Sequence, residues 1–364
     1  MRRFAPYLIA VPMLCACQME SVPTSLGRSA AQDLPSDPVT AVVGSSFQST
    51  ITDYARYWPG TDGIGINDAG DITAQITPPL GPAFNRAALV RAGTLQFIDI
   101  GTLGGASSRP SAISNTQGIV GTADLLGNQA TAFIWHQATG MRDLGSLGGT
   151  SSLAYDANAR DEVVGISENS AGDFRAFLWT ATSGMLDLGT LGGSTATAEG
   201  INARGVVVGS SRLADGRLHA FLWTRSSGMI DLIPEASYAV AHDVSDEGVV
   251  VGETNGGAGH QFVAFRWTAR DRLQRLGTLG GSNSRAWAVN NAGAIVGESD
   301  TRAGGHNAFF WTQAIGMKSL GALFSAASSA AFDINQRNEI AGWSQSQNPE
   351  VLRTVVKWTL TPAR

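Results

Sequence analysis

Ala176-Phe177-Leu178-Trp179-Thr180, followed by Gly184-Met185-Leu186-Asp187-Leu188-Gly189, returns 44 residues later as Ala220-Phe221-Leu222-Trp223-Thr224, followed by Gly228-Met229-Ile230-Asp231-Leu232. The same step of 44 carries the tryptophan outward to Trp135, Trp267 and Trp311. An aromatic at one fixed interval across most of a chain marks a repeat. A unit of this size cannot bury its own apolar faces, so it must stack on copies of itself as a propeller, array or solenoid.

Within the unit, Val206-Val207-Val208-Gly209 has counterparts in Ile119-Val120-Gly121, Val163-Val164-Gly165, Val249-Val250-Val251-Gly252, Ala294-Ile295-Val296-Gly297 and Glu339-Ile340-Ala341-Gly342. Seven residues before each of these glycines stands Asn158, Asn202, Asn290 or Asn335, or the smaller Ser114 or Ser245. A Gly often follows three residues after the Asn, as in Asn202-Ala203-Arg204-Gly205. The Asn side chain can bond the backbone two residues on and the Gly tolerates positive φ, so this is a turn between two strands. The Trp segment supplies a third strand and the Gly-Met-x-Asp-Leu-Gly segment a fourth. Four short strands in 44 residues make one propeller blade.

The chain ends distinguish a ring from a solenoid. The first full unit starts near Gly63-Ile64-Gly65-Ile66-Asn67, with Arg91 where a Trp is expected. The last unit reaches Val355-Val356-Lys357-Trp358 and lacks a fourth strand, while residues 39–58 contain spare β-type sequence, Val39-Thr40-Ala41-Val42-Val43-Gly44, ahead of the first unit. Pairing the orphan strand with the gap removes the exposed edges that a solenoid must cap. The expectation is an all-β, seven-bladed β-propeller of four-stranded blades over residues 39–364, closed by an N-terminal strand that completes the last blade.

The 364 residues are 43% hydrophobic and 15% charged, with a net charge of -5, a balance that offers no basic surface for a phosphate backbone. No nucleic-acid partner is expected. The two cysteines, Cys15 and Cys17, leave the repeat region none, so it holds neither a disulfide nor a thiolate metal site. Arg2 and Arg3 precede an apolar stretch over residues 4–14 that is too short for a mature membrane span. Residues 1–16 therefore read as a signal peptide, and residues 17–38, rich in Ser, Pro and Ala, as a flexible tether. Leu14-Cys15-Ala16-Cys17 resembles the lipobox of bacterial lipoproteins, which implies that Cys17 becomes the lipidated first residue. In that resemblance Gln18, not being Asp, implies the outer membrane of a Gram-negative cell.

The repeats resemble the extracellular HAF-repeat family, whose units carry His-Ala-Phe-x-Trp and then Gly-Met-x-Asp-Leu-Gly-x-Leu-Gly-Gly. The likeness covers residues 63–358, with His219-Ala220-Phe221 the literal copy and Thr131, Arg175, Val263 or Asn307 replacing the His elsewhere. It implies an exported, propeller-like protein and no particular reaction.

Residues that recur in every unit are expected to pack the scaffold. That covers the Trp series and its Phe neighbours, Asp143, Asp187 and Asp231 on turn backbone, and the glycine doublets as crossover turns that lack the helix and Lys of a phosphate loop. Function is expected where units differ on a constant frame. Ten residues before the reference Gly, or before Ala74 in the first unit, the blades carry Ile64, Ser111, Tyr155, Glu199, His242, Trp287 and Phe332, and the next position holds Gly65, Ala112, Asp156, Gly200, Asp243, Ala288 and Asp333.

A ligand site is expected at a central mouth lined by Tyr155, Glu199, His242, Asp243, Trp287 and Phe332. It is expected on the face bearing the crossover and second-to-third-strand loops, with help from residues 168–173, 213–217, 254–260 and 300–306. Strand alternation could equally turn this row into core between blades. The mixed chemistry suits an envelope glycan or protein ligand bound by a monomeric scaffold, with the membrane met through the lipid anchor alone and no cofactor or metal. The alternative is an enzyme acting on a polysaccharide by elimination or hydrolysis, with Tyr155 and His242 as acid and base and Glu199 between them. The chain has no nucleophile elbow, zinc helix or P-loop to favour it.

Overall fold

The computed structural model describes residues 39–43, 47–53, 62–76, 84–94, 96–127, 129–256, 261–323, 328–345 and 353–362. The signal peptide, the tether and Cys17 lie outside the described residues. Every regular element described is a strand, and the strands form seven antiparallel sheets.

Blade three shows the pattern: Gly148–Ala157, Val163–Asn169, Phe174–Thr180 and Gly184–Asp187 pair in sequence order from the axis outward. Blade four repeats it with Gly192–Ile201, Val207–Leu213, Leu218–Thr224 and Gly228–Asp231. The innermost strands of the remaining blades are Asp62–Ile66, Gly104–Ile113, Ala239–Val244, Gly280–Val289 and Ser328–Ile334. This is the expected seven-bladed propeller of four-stranded blades.

Closure follows the expected route with a different strand. The last blade orders Ser328–Ile334, Glu339–Gln345, Thr354–Pro362 and then Phe47–Asp53, which supplies the missing fourth strand. Val39–Val43, the segment expected to close the ring, pairs outside Phe47–Asp53 as a fifth strand. The closing pair buries Ile51 with Val356 and Trp358 in one core cluster, so apolar packing as well as the ladder holds the ring shut.

The recurrent aromatics pack between blades as the repeat requires. Trp179 of blade three lies in one cluster with Val120, Ala132 and Ile134 of blade two, and Trp223, Trp267 and Trp311 repeat the arrangement around the ring. Phe133, Phe177, Phe221, Phe265 and Phe309 are fully buried, and each such side chain contributes on the order of 3 kcal/mol of burial. The acids of the fourth strand bind turn backbone: Asp143 and Asp187 each accept the N–H of the Gly two residues on at 2.8 Å. His219 is scaffold too. It is fully buried, with Nδ1 2.7 Å from Asp231 Oδ2, and Thr131 donates to Asp143 at the matching place in blade two.

The turn asparagines do more than cap their own turns. Asn202 Oδ1 accepts the N–H of Arg204 at 3.0 Å, as expected, while its Nδ2 donates to the Ser245 carbonyl of the next blade at 3.0 Å. Asn158, Asn290 and Asn335 make the same reach, to the carbonyls of Asn202, Asn335 and Asn67. One carboxamide thus satisfies its own turn and bonds a neighbouring blade, whereas Ser114 and Ser245 accept the N–H of Gly118 and Val249 within their own turns.

Candidate functional site

The variable row owes its position to a defect repeated in every blade. On the inner strand of blade three, Ala154 pairs with Gly165 and Asp156 with Val164, leaving Tyr155 as the extra residue of a β-bulge. The same two-against-one register leaves out Ile64, Ser111, Glu199, His242, Trp287 and Phe332. A bulge bends its strand and re-aims a side chain, so the residue it frees need not follow the alternation that would bury it between blades.

In six of the seven blades a reference glycine faces the bulge, and blade one has Ala74 there. A Cβ on Gly165 would fall on the Leu153 carbonyl oxygen and come within 2.9 Å of Phe177 Cε1. Gly121, Gly209, Gly252, Gly297 and Gly342 would meet the carbonyl oxygens of Arg109, Thr197, Val240, Arg285 and Ala330 in the same way. The bulged strand presses its backbone against a position that has no side chain.

Five of the six expected site residues form one continuous belt. His242 Nδ1 lies 2.6 Å from Glu199 Oε2 across the joint between blades four and five. The His242 and Trp287 rings are 4.4 Å apart between centroids, and Trp287 meets Phe332 edge-on at 6.0 Å. Tyr155 adjoins Glu199: burial first, then the Glu199 charge, pushes its hydroxyl above the usual phenol range. Blades three to seven therefore pass their bulge residues hand to hand around the axis, while blades one and two offer Ile64 and Ser111.

Asp243 does not join the belt. Its Oδ1 accepts the N–H of Val244 at 2.6 Å and its Oδ2 that of Val289 in blade six at 2.8 Å, so both oxygens serve backbone. Asp156 and Asp333 do the same, reaching Ile201 of blade four and Ile66 of blade one. Where no Asp stands the residue is small, because the blades approach closely: a Cβ on Gly200 would come within 2.8 Å of the His242 carbonyl. Asp and small residues alternate from blade three onward, and an odd ring of seven leaves blades one and two both small, with Gly65 and Ala112.

Burial raises all three acids. Asp243 is pushed up to about 7 by desolvation and the charges of Asp156 and Asp333, against the pull of its backbone donors, and Asp333 is pushed up to about 7 mainly by desolvation. Asp156 is raised by burial as well.

His242 is only 8% exposed, and burial disfavours its charge. The Glu199 carboxylate outweighs that, helped by Glu253, and raises its proton affinity. Two buried ring nitrogens of this belt, His242 Nε2 and Trp287 Nε1, have no hydrogen-bond partner among the described residues.

The placement of the row corrects its expected face. The inner strand begins at the Gly-Gly crossover, where Gly148 pairs with Asn169, and Tyr155 is its eighth residue, three before the turn at Asn158. At roughly 3.3 Å per residue, the belt lies roughly 20 Å along the strand from the crossover end. It therefore adjoins the turns between first and second strands. The variable stretches 168–173, 213–217, 254–256 and 300–306 lie at the opposite end of their blades and do not border it; residues 257–260 are outside the described residues.

A second polar cluster escaped the sequence reading. Glu253 accepts from Tyr238 OH at 2.6 Å and from Arg285 Nε at 2.5 Å, Arg285 also reaches Glu298 at 3.3 Å, and its guanidinium covers the Phe262 ring at 4.2 Å. Two signals pointed to it. Ile233-Pro234 breaks the Leu-Gly-Gly crossover ahead of Tyr238, and the column just after the reference Gly, which includes Glu253 and Glu298, varies as freely as the bulge row. On the outer surface, an open groove of about 950 Å³ between blades five and six is lined by Arg266, Arg270, Gln274, Asn291 and Trp311, away from the belt.

No protein-family model matches the chain, and no curated protein matches it. Among solved structures it is similar to the β-propeller domain of the trilobed protease from Pyrococcus furiosus, which has an open velcro topology, with a TM-score of 0.57 and 9% identity over 84% of this chain and 98% of that one. It is similar to a puromycin hydrolase at a TM-score of 0.57 and 16% identity, over 84% of this chain and 53% of that one. A puromycin-hydrolysing peptidase from Mycobacterium tuberculosis matches at 0.57 and 10%, over 84% and 52%. The chain thus spans about half the length of those two hydrolases, and at these identities the likeness establishes the propeller fold alone.

Proposed function

We propose that this protein is an exported propeller of the HAF-repeat type, lipid-anchored through Cys17, that binds an envelope ligand at its central belt without transforming it. The observation that carries the reading is the belt itself. Five bulges, each facing a glycine on the partner strand, bring Tyr155, Glu199, His242, Trp287 and Phe332 side by side, while the residues that every blade repeats are consumed in packing and turns. Conserved backbone geometry carrying unlike side chains is how a scaffold presents a site.

Acid–base chemistry by Tyr155 and His242 is not favoured. Tyr155 is held protonated well above neutral pH, and His242 gives one nitrogen to Glu199 and buries the other. The test is a set of thermal melts of the purified lipoprotein in detergent against cell-wall fragments and polysaccharides, since a ligand that binds only the folded state raises the midpoint. At least one fraction is expected to raise it for the native chain and not for Trp287→Ala. A fraction that stabilises both equally, or the absence of any shift, would overturn the belt as the site. Labelled palmitate should enter the native chain and not Cys17→Ser.

A further inference from the structure

We infer that the belt takes an uncharged saccharide, with hydroxyls meeting His242 Nε2 and Trp287 Nε1 and the apolar face of a sugar ring against the aromatic side chains. This rests on the belt being a binding site and goes further by naming what fits it.

The first argument is hydrogen-bond bookkeeping. A buried polar atom left without a partner is costly, and the two here sit on rings 4.4 Å apart. An indole N–H only donates. The imidazole, whose Nδ1 is committed to Glu199, presents at Nε2 a lone pair when neutral and a donor when protonated. A hydroxyl is both donor and acceptor at one atom, so it satisfies the indole in either state of the histidine and the histidine in both. A cation brings donors only and leaves the indole N–H unpaired. A peptide amide carries its donor and its acceptor on opposite edges of one plane, which suits two adjacent ring nitrogens poorly.

The second argument is charge. Glu199 belongs to the belt, Asp156, Asp243 and Asp333 lie close enough to the axis to feel one another, and Glu253 is near enough to act on His242; the cations facing them are Arg285 and His242 itself. Arg285 is committed to Glu253 and Glu298. An acidic sugar would bring its carboxylate or phosphate into this field without a free cation to meet it.

The third argument is shape and freedom. Trp287 and Phe332 supply half-buried apolar faces beside a carboxylate whose second oxygen, Glu199 Oε1, bonds to none of the described residues. No hydrogen bond to the described residues holds the Trp287 indole, so no such bond must break for its side chain to adjust to a hydroxyl.

The test is isothermal titration of the full-length protein in detergent with oligomers of glucose and of N-acetylglucosamine, with oligogalacturonate of matched length, and with alanine peptides. Neutral oligomers are expected to bind at least 10-fold more tightly than oligogalacturonate, and binding should quench tryptophan fluorescence. Trp287→Phe, which keeps an aromatic face and removes the N–H, is expected to weaken them about 10-fold with little change in the melting curve, and Phe332→Leu to weaken them less. Preferred binding of oligogalacturonate or of peptides, lost in Trp287→Ala, would refute the saccharide and leave the belt as a site. Neutral oligomers that bind Trp287→Phe and Trp287→Ala like the native chain would refute the site along with the inference.

Discussion

His219 and His242 are two buried histidines in neighbouring blades, each with Nδ1 against a carboxylate, at 2.7 Å from Asp231 and 2.6 Å from Glu199, and each with Nε2 unpartnered among the described residues. They differ in what the couple joins. His219 and Asp231 belong to the third and fourth strands of one blade, and Asp231 also binds the N–H of Ile233, so the pair pins a turn. Glu199 and His242 are bulge residues of two blades, and the second ring nitrogen of His242 adjoins another orphan on Trp287. A buried histidine–carboxylate pair is therefore not a site by itself. Convergence of unlike units on one place is what separates the two.

The comparison can be broken most severely at the bulge. Gly252→Val would drive a side chain into the Val240 carbonyl and flatten the inner strand that aims His242. The expected loss is more than about 3 kcal/mol, since the backbone of two strands must move. Chemical denaturation should show a much lower midpoint, and a loss near zero would mean the glycine does not hold the bulge.

Replacing each histidine separates the roles. His219→Ala removes a fully buried partner of Asp231 and is expected to cost about 2 kcal/mol of stability while leaving ligand affinity unchanged. His242→Gln keeps a donor toward Glu199 and is expected to cost about 1 kcal/mol or less, but to weaken ligand binding. Denaturation and titration on the same two preparations check both halves. If His219→Ala lost the ligand and His242→Gln kept it, the assignment would be reversed.

In the pH dependence, axis and rim pull in opposite directions. Asp243 and Asp333 have folded pKa values near 7, above those of an unfolded chain, so their contribution is full below about pH 4 and is lost as pH rises toward 7. His242, also raised, loses its contribution on the same alkaline side. At the rim, burial pushes Glu339 up, but hydrogen bonds from Asn335, Arg337 and Lys357 prevail and hold it at about 2. Its contribution is present above the usual carboxylate range and is lost as pH falls toward 2. Melting temperatures should peak in mildly acidic buffer and fall toward pH 8. Asp243→Asn should flatten the alkaline limb, and a limb that it leaves unchanged would put the titration elsewhere.

Much of the architecture was legible because it is written locally. The 44-residue step of Trp179 and Trp223, the β-branched runs and the Asn-x-x-Gly turns each act within one unit, so periodicity and turn chemistry recover blades, strand order and the scaffold role of the repeated residues. The variable column holding Tyr155, Glu199, His242, Trp287 and Phe332 was also visible, since unlike residues at one register position need no structure to be noticed. What belongs to several segments at once was not.

The spare β-type sequence was visible at Val39–Val43, and only pairing with Thr354–Pro362 shows that Phe47–Asp53 is the strand that fills the seventh blade. The bulge exists only against its partner strand, and it is the bulge that points five side chains along the axis, near the turn at Asn158 rather than the crossover at Gly148. The sharing of Asp243 between its own strand and Val289 of the next blade likewise depends on residues 46 apart in sequence lying side by side. By itself the sequence determined a closed ring of seven four-stranded units and the column in which they differ, because period and turn chemistry are properties of neighbouring residues. Tertiary structure alone decided which end of the ring that column lines and that the neighbouring Asp243 is committed to backbone, because both depend on register between strands and contact between blades.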